Sequence, residues 1–391
     1  MRIAFFSWET LNSIPVGGVA AVVTQLSEAL AAMGHDVHVF TRISGGQPEH
    51  EMIRGVHEHR CVSPGCEDFI EYMDHFCDSL VSAFTWAEGK YGKFDVVHAH
   101  DWHVVNAIAN LRQNLGLQNL VWTCHSTEYG RNGNNFADNW FSGRVRHREW
   151  LGGFIANKVT TVSWEMRREL EREYQVPWDK MWVIYNGVNI KKFSGALDAG
   201  RVKEKYGIHP FAPVVLFVGR MSYQKGPDLL VEAIPDVVFW HPGAKFIFAG
   251  SGDMETHVRG RTWWLGVQDH VRVLGYVSEQ DKLNLLKACD MVCVPSRNEP
   301  FGIVVLEAFA SGKPVVAAEV GGPAEIIDNF RTGIKVRLNP ESISWGIKYL
   351  LGGSNGGGIR WMGEQAKKEA EKYDWHELAK QYLKVYESVV K

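Results

Sequence analysis

The chain lacks any run that approaches the roughly 20 consecutive apolar residues of a membrane-spanning helix. It opens directly on the apolar pattern Ile3-Ala4-Phe5-Phe6-Ser7 with no export leader, so a cytoplasmic location is expected. There is no Cys-x-x-Cys pair, and Cys61, Cys66, Cys77, Cys124, Cys289 and Cys293 are expected to be reduced thiols rather than zinc ligands or disulfides. No Gly-x-Gly-x-x-Gly follows the first strand pattern, which argues against a nicotinamide dehydrogenase. Nor is there an excess of one charge: the formal net charge of -3 gives no global drive toward nucleic acid or anionic membrane. What remains, at 45% hydrophobic and 22% charged residues, is the composition of a soluble globular protein.

At 391 residues the chain exceeds the usual size of a single core, so two domains are expected. Two blocks of alternating strand and helix patterns support this, and they imply two doubly wound α/β domains with parallel sheets covered on both faces. In the first block the strand patterns are Ile3–Ser7, Val37–Phe40, Val96–His98, Leu120–Thr123, Val159–Val162 and Trp182–Tyr185. An amphipathic helix, Val19 to Met33, is closed by Gly34. The turn-rich stretch from Asn186 to Pro213 reads as a hinge. In the second block the strands are Val214–Val218, Lys245–Ala249, Val271–Leu274, Met291–Val294, Val315–Ala317 and Gly333–Val336. Helices follow over Glu364–Lys372 and Trp375–Val390, and Gly352–Gly358 reads as a low-complexity linker. The domains are thus 1–190, 191–374 and a terminal helix 375–391.

The most informative run is Asn298-Glu299-Pro300-Phe301-Gly302-Ile303-Val304-Val305-Leu306-Glu307. It sets two carboxylates eight positions apart across a loop-to-helix junction. Pro300 biases Glu299 toward an extended conformation, so Glu299 is expected to project from the loop, with Glu307 about two turns into the helix. Amides of Phe301, Gly302 and Ile303 near the helix start are placed to donate to phosphate or sugar oxygens. Such a pair can also be an ordinary solvated helix start; the strand before it and the helix after it favour a sugar-nucleotide site.

This run resembles the signature of retaining glycosyltransferases of the GT-B fold, and its Glu-Pro-Phe-Gly opening is most similar to family 4 and the glycogen and starch synthases. The resemblance covers nearly the whole chain in element order. It implies two Rossmann-like domains facing a central cleft, the final helix crossing back to the first domain, Glu299 near the anomeric carbon and Glu307 on the donor ribose.

Gly219-Arg220-Met221-Ser222-Tyr223-Gln224-Lys225-Gly226 follows a buried strand, at the end where open parallel sheets place ligands. Isolated basic loop residues are usually solvated, but this spacing matches the family pattern, which implies that Arg220 and Lys225 contact the donor diphosphate. Fixed cations there can stabilise a departing nucleoside diphosphate without a metal. Gly17-Gly18 opens the first long helix with no Cβ to obstruct a diphosphate, although an ordinary turn explains it as well. The glycogen synthases of bacterial type carry Lys-x-Gly-Gly there, whereas this chain has Pro15-Val16-Gly17-Gly18, which favours family 4. Gly321-Gly322-Pro323-Ala324-Glu325 resembles the family's second glycine loop.

His125 follows the strand Val121-Trp122-Thr123 and matches the family histidine that touches the donor sugar; it is expected to work as a neutral imidazole. His98-Ala99-His100-Asp101-Trp102-His103 offers too few convergent ligands for zinc. It resembles the His-Asp-Trp-His segment of glycogen synthases, implying Asp101 and His103 as cleft residues. Glu128, Tyr129 and Arg131, continuing to the aromatic Trp140, Phe141 and Trp150, are candidates for the acceptor side.

The expectation is a retaining hexosyltransferase that moves a hexose, expected to be glucose, from a nucleotide diphosphate sugar to a carbohydrate acceptor. Glycogen-synthase-like α-glucan elongation is favoured, with the nucleotide sugar as co-substrate and no required metal or other cofactor. Two alternatives are a family 4 transferase to a small sugar, sugar phosphate or lipid-linked acceptor using UDP-glucose or GDP-mannose, and a noncatalytic two-domain sugar-binding protein. Nucleotide release with and without acceptor separates enzyme from binding protein.

Overall fold

The computed structural model describes residues 1–352 and 358–390. Two compact units form: Met1–Gly187 with Trp375–Lys391, and Val188–Asp374. Five residues of the Gly352–Gly358 linker reading lie outside the described residues.

The first unit is built on an eight-stranded sheet in the order β3-β4-β2-β1-β5-β6-β7-β8. The strands are β1 (Arg2–Phe6), β2 (Asp36–Arg42), β3 (His50–Ile53), β4 (Val56–Cys61), β5 (Val96–His100), β6 (Leu120–Cys124), β7 (Lys158–Thr161) and β8 (Met181–Val183). Every pairing is parallel except β3 with β4. The wholly parallel sheet expected from sequence is therefore corrected at this edge, where a tight turn at Arg54-Gly55, both at positive φ, reverses the chain. The helix Trp375–Glu387 belongs to this unit: Leu378, Ala379, Tyr382, Val385 and Tyr386 are buried. Tyr386 Oη meets His98 Nδ1 at 2.8 Å, and Trp375 Nε1 donates to Gln25 Oε1 at 2.6 Å.

The second unit has six parallel strands in the order β11-β10-β9-β12-β13-β14. These are β9 (Val214–Val218), β10 (Lys245–Ala249), β11 (Val271–Gly275), β12 (Met291–Val294), β13 (Val315–Ala318) and β14 (Gly333–Val336). Their continuous apolar runs are the mark of strands covered on both faces. Val215, Phe217, Phe246, Phe248, Met291, Cys293, Val316 and Ile334 join one core with the helical Leu230, Ile234, Ile343 and Ile347. The Asn186–Pro213 stretch is less irregular than its turn residues suggest. It contains the short helices Ile190–Phe193 and Ala199–Lys205, begun by Asn189 and Asp198, whose side chains accept from Lys192 N and Arg201 N.

In both sheets the strand order reverses, between β1 and β5 in one and between β9 and β12 in the other. Crevices at the carboxyl ends of such strand pairs are where open α/β sheets hold ligands. Gly17 and Asp101 in the first unit and Arg220, Lys225 and Glu299 in the second follow those strands, while His125 follows the neighbouring β6.

Candidate functional site

In the second unit two loops meet beyond β9 and β12. Lys225 Nζ donates to Glu299 Oε2 at 2.8 Å, and Ser296 Oγ donates to the same oxygen at 3.1 Å. The backbone joins the loops as well, with Arg297 N donating to Gln224 O at 2.8 Å. This approach depends on two glycines. Gly226 has φ +65°, and a Cβ on it would lie 2.1 Å from Pro295 O; Gly321 has φ +49°, and a Cβ would lie 2.1 Å from Glu299 O. Arg220 is exposed at the start of the same loop. Arg297 is held aside by Asp228 at 2.6 Å and stands over the Tyr223 ring.

Glu299 does not project freely, as expected from Pro300; it is 7% exposed and turned onto Lys225. A carboxylate removed from water needs a charged or hydrogen-bonding partner, and this requirement overrides the local bias of the loop. Gly302 takes φ +92°, and the helix Ile303–Ala310 begins only after it. Glu307 consequently sits near the second turn rather than two full turns in. It is buried, and its Oε1 accepts from Lys282 Nζ at 2.8 Å. Burial disfavours the Lys282 charge, but Glu307 and Glu279 outweigh it and raise the lysine's pKa. Phe301 is buried, and Gly322 N donates to Glu299 O at 3.0 Å, so the second glycine loop is tied to the acidic loop.

In the first unit, Gly17 precedes the helix Gly18–Ala32, and both glycines are exposed. The Gly17 and Val16 amides each donate to Glu9 Oε2 at 2.6 Å. The Gly17 amide is therefore engaged: a buried carboxylate occupies that donor, drawn by the positive end of a helix whose first turn has no acid of its own. Burial, opposed by these amide bonds, raises the Glu9 pKa. Sequence reasoning missed Glu9, although its place just past the end of β1 was a usable signal.

Asp101 and His125 follow β5 and β6. Asp101 holds φ +60°, an unfavourable region for a residue with a Cβ. Its amide donates to Thr123 O at 2.9 Å, and its Oδ1 accepts from His125 N at 2.7 Å. Burial pushes Asp101 up to about 6. His125 is 7% exposed, and burial lowers it to about 3, so its imidazole is neutral near pH 7. Its Nε2 lies 2.9 Å from His100 Nδ1, a partnership that sequence reasoning did not anticipate. His103 stacks between Trp8 and Trp102.

Glu128 and Arg131 face one another rather than open solvent. Arg131 Nη2 donates to Glu128 Oε2 at 3.1 Å and to Glu149 Oε1 at 2.6 Å, and its Nη1 reaches Ser126 Oγ at 2.8 Å. Glu149 is fully buried and also accepts from Glu128 N and Tyr174 Oη. The guanidinium therefore organises the loop that carries His125. Tyr129 packs on Phe136. Trp140, Phe141 and Trp150 are exposed on the helix Trp140–Ile155, at 61%, 40% and 40%.

These arrangements define a class: two Rossmann-like units that each present polar and charged groups past the switch point of a parallel sheet. Residues 16–192 match the family described as Glycosyltransferase Family 4, and residues 199–369 the family described as Glycosyl transferases group 1. The chain is 37% identical, over 99% of its length and 98% of the relative's, to an uncharacterised glycosyltransferase of Methanocaldococcus jannaschii. It is 31% identical to a glycogen synthase of Mycobacterium tuberculosis, over 85% of this chain and 82% of the other. It is 28% identical to a D-inositol 3-phosphate glycosyltransferase of Jonesia denitrificans, over 95% and 91%. Among solved structures, sucrose-phosphate synthase from Thermosynechococcus elongatus superposes with a TM-score of 0.81 at 24% identity, covering 99% of this chain and 98% of that one. Anabaena HepE in complex with UDP and glucose gives 0.81 at 20% identity, covering 99% and 100%. The chain belongs to the glycosyltransferases, and its fold is GT-B. Among the described residues no helix is long and apolar enough to cross a membrane.

Proposed function

We propose that this glycosyltransferase moves glucose from a nucleotide diphosphate glucose to a carbohydrate acceptor with retention of the α configuration, in the manner of α-glucan elongation. The observation that carries the reading is the Lys225–Glu299 pair at 2.8 Å, beside exposed Arg220 at the carboxyl ends of β9 and β12. The glycogen synthase relative supports the acceptor class.

The departing nucleoside diphosphate gathers negative charge, which Arg220 and Lys225 stabilise without a metal. Glu299 orients Lys225 and, as the carboxylate nearest the sugar, opposes the positive charge that grows on the anomeric carbon. Glu307 accepts a ribose hydroxyl while Lys282 fixes its orientation. His125 contributes Nδ1 to a sugar hydroxyl, since Nε2 is engaged with His100. In this front-face displacement the acceptor oxygen bonds to the anomeric carbon as the carbon–phosphate oxygen bond breaks, and the acceptor proton passes to the departing phosphate oxygen.

A second reading is transfer to a polyol or sugar phosphate, favoured by the similarity to D-inositol 3-phosphate glycosyltransferases. A panel of UDP-, ADP- and GDP-sugars against maltooligosaccharides and D-inositol 3-phosphate, with product mass as the readout, decides. Extension of maltooligosaccharides by one hexose unit supports the first reading; turnover with the inositol phosphate alone overturns it.

A further inference from the structure

The outer strands of the first unit carry chemistry that glycosyl transfer does not use. His38 and His57 are partners across the parallel pair β2–β4, with ring centroids 4.4 Å apart. His38 Nε2 lies 3.0 Å from Asp36 Oδ1, and His57 Nε2 lies 3.8 Å from the same oxygen. Three potential ligand atoms, two imidazole nitrogens and a carboxylate oxygen, thus fall within 4.8 Å of one another. The other carboxylate oxygen, Oδ2, accepts from Arg2 Nε at 2.6 Å, which fixes the group and turns Oδ1 toward the two rings.

The histidines continue through buried His59 to exposed His50 on the edge strand β3. His38 Nδ1 lies 2.8 Å from His59 Nε2, and His59 Nδ1 lies 3.0 Å from His50 Nδ1. His50 stacks on Trp86 with centroids 4.2 Å apart. A neutral imidazole has one N–H and one lone pair, so this chain has two self-consistent states. In one, every proton points toward Asp36. In the other, every proton points away, and His38 Nε2 presents a lone pair to the carboxylate. That second state sets two electron-rich atoms 3.0 Å apart unless a cation lies between them. A metal ion selects it, and His59 then accepts the N–H of a ligating histidine, as outer-shell partners of metal-bound imidazoles do.

We propose that Asp36, His38 and His57 bind one divalent transition-metal ion, of the Zn²⁺ or Co²⁺ kind, with His59 and His50 as its hydrogen-bonded outer shell. Two nitrogens and one oxygen suit such ions better than Mg²⁺ or Ca²⁺, which prefer oxygen alone. The side chains of Asp36 and His57 are 36% and 22% exposed, which gives an entry path and room for water as a fourth ligand. Two ligands of one tetrahedral zinc stand about 3.3 Å apart and each imidazole donates in its own plane, so His57 must turn out of its 15° stack on His38 to close the site. The positive charges of Arg2 and Lys90 lie close enough to His57 to oppose a dication and weaken the site. Asp36 opens β2, at the amino ends of the parallel strands, whereas the donor residues follow carboxyl ends. The ion therefore ties β2 to β4 and takes no part in transfer.

The test is Co²⁺ titration of the tag-free, full-length protein, followed by visible absorption. The expected result is saturation at one equivalent with the intense bands of four- or five-coordinate Co²⁺. His57→Ala and Asp36→Asn each weaken binding at least about tenfold and remove those bands, while His257→Ala, at an exposed position of the second unit, leaves them intact. Both site variants alter partly exposed side chains, and a denaturation curve checks that they fold. Non-saturating, six-coordinate binding by the unaltered protein, or an unchanged spectrum in His57→Ala and Asp36→Asn, would overturn the proposal.

Discussion

Lys225 Nζ and Glu299 Oε2 stand 2.8 Å apart although 74 positions separate them in sequence, and Ser296 Oγ shares the oxygen. Under the proposed function, two groups in such contact serve the donor as a unit. Glu299→Ala and Lys225→Ala are each expected to cut turnover by at least about a hundredfold. The double variant should then fall no more than about tenfold below the worse single one. Initial rates at saturating donor measure this; fully multiplicative losses would separate the roles of the two residues.

Glu307 is expected to act on donor binding rather than on the chemical step. In Glu307→Gln the contact with Lys282 loses its ionic partner, and the proposed ribose contact loses a charged acceptor. A loss of about 1.5–3 kcal/mol, the range for hydrogen bonds to charged groups, raises the donor KM by roughly 10- to 100-fold while kcat changes less. An unchanged donor KM would remove Glu307 from the ribose site.

His98 and Tyr386 couple the first sheet to the helix Trp375–Glu387. The hydroxyl meets His98 Nδ1 at 2.8 Å, and Thr123 Oγ1 holds Nε2 at 2.6 Å. Tyr386→Phe keeps the ring and leaves a buried imidazole nitrogen without its partner. The expected cost is about 1–3 kcal/mol in a urea unfolding curve, with donor affinity unchanged in the folded protein. A neutral effect would show that the hydroxyl contributes nothing to the fit of this helix.

Stability should fall in acid. Burial first, then neighbouring histidines for some, holds His38 at about 4, His59 at about 3 and His125 at about 3, and His98 and His100 well below the usual value of 6.5. Below pH 6.5 the unfolded chain takes up protons that these folded rings refuse, so each costs up to ~1.4 kcal/mol per pH unit until its folded value is reached. Asp101, raised by burial to about 6, and Glu58 and Glu169, raised by burial to about 7, act in the opposite sense between about 4 and 7. Five histidines outweigh three acids. The urea midpoint is expected to be lower at about pH 4.5 than at about pH 7, and an equal or higher one would contradict this balance.

Most strands of both sheets were legible because continuous apolar runs such as Val214–Val218 bury both faces, and the loops after them stood out by their glycines and charges. The hairpin His50–Cys61 was not. Its strands turn His50, His57 and His59 toward Trp86 and Tyr91, so a polar residue fills the place where alternation leads one to expect an aliphatic one. The donor motif could be read in Glu299 and Lys225 as types at a spacing, but their mutual contact is a product of the β9–β12 neighbourhood, which no local pattern encodes. Glu149 was invisible for the same reason, and Glu9 had only its place past β1 as a signal: their meaning comes from the Arg131 guanidinium and the Gly17 amide that folding brings to them.

The most direct test of the account is proton NMR of the first product formed from a nucleotide diphosphate glucose and a maltooligosaccharide, with nucleotide release followed in the same sample. The account predicts a new α-anomeric signal that grows in step with an acceptor-dependent release of nucleoside diphosphate. A β-anomeric signal, or nucleotide release that ignores the acceptor, would contradict it.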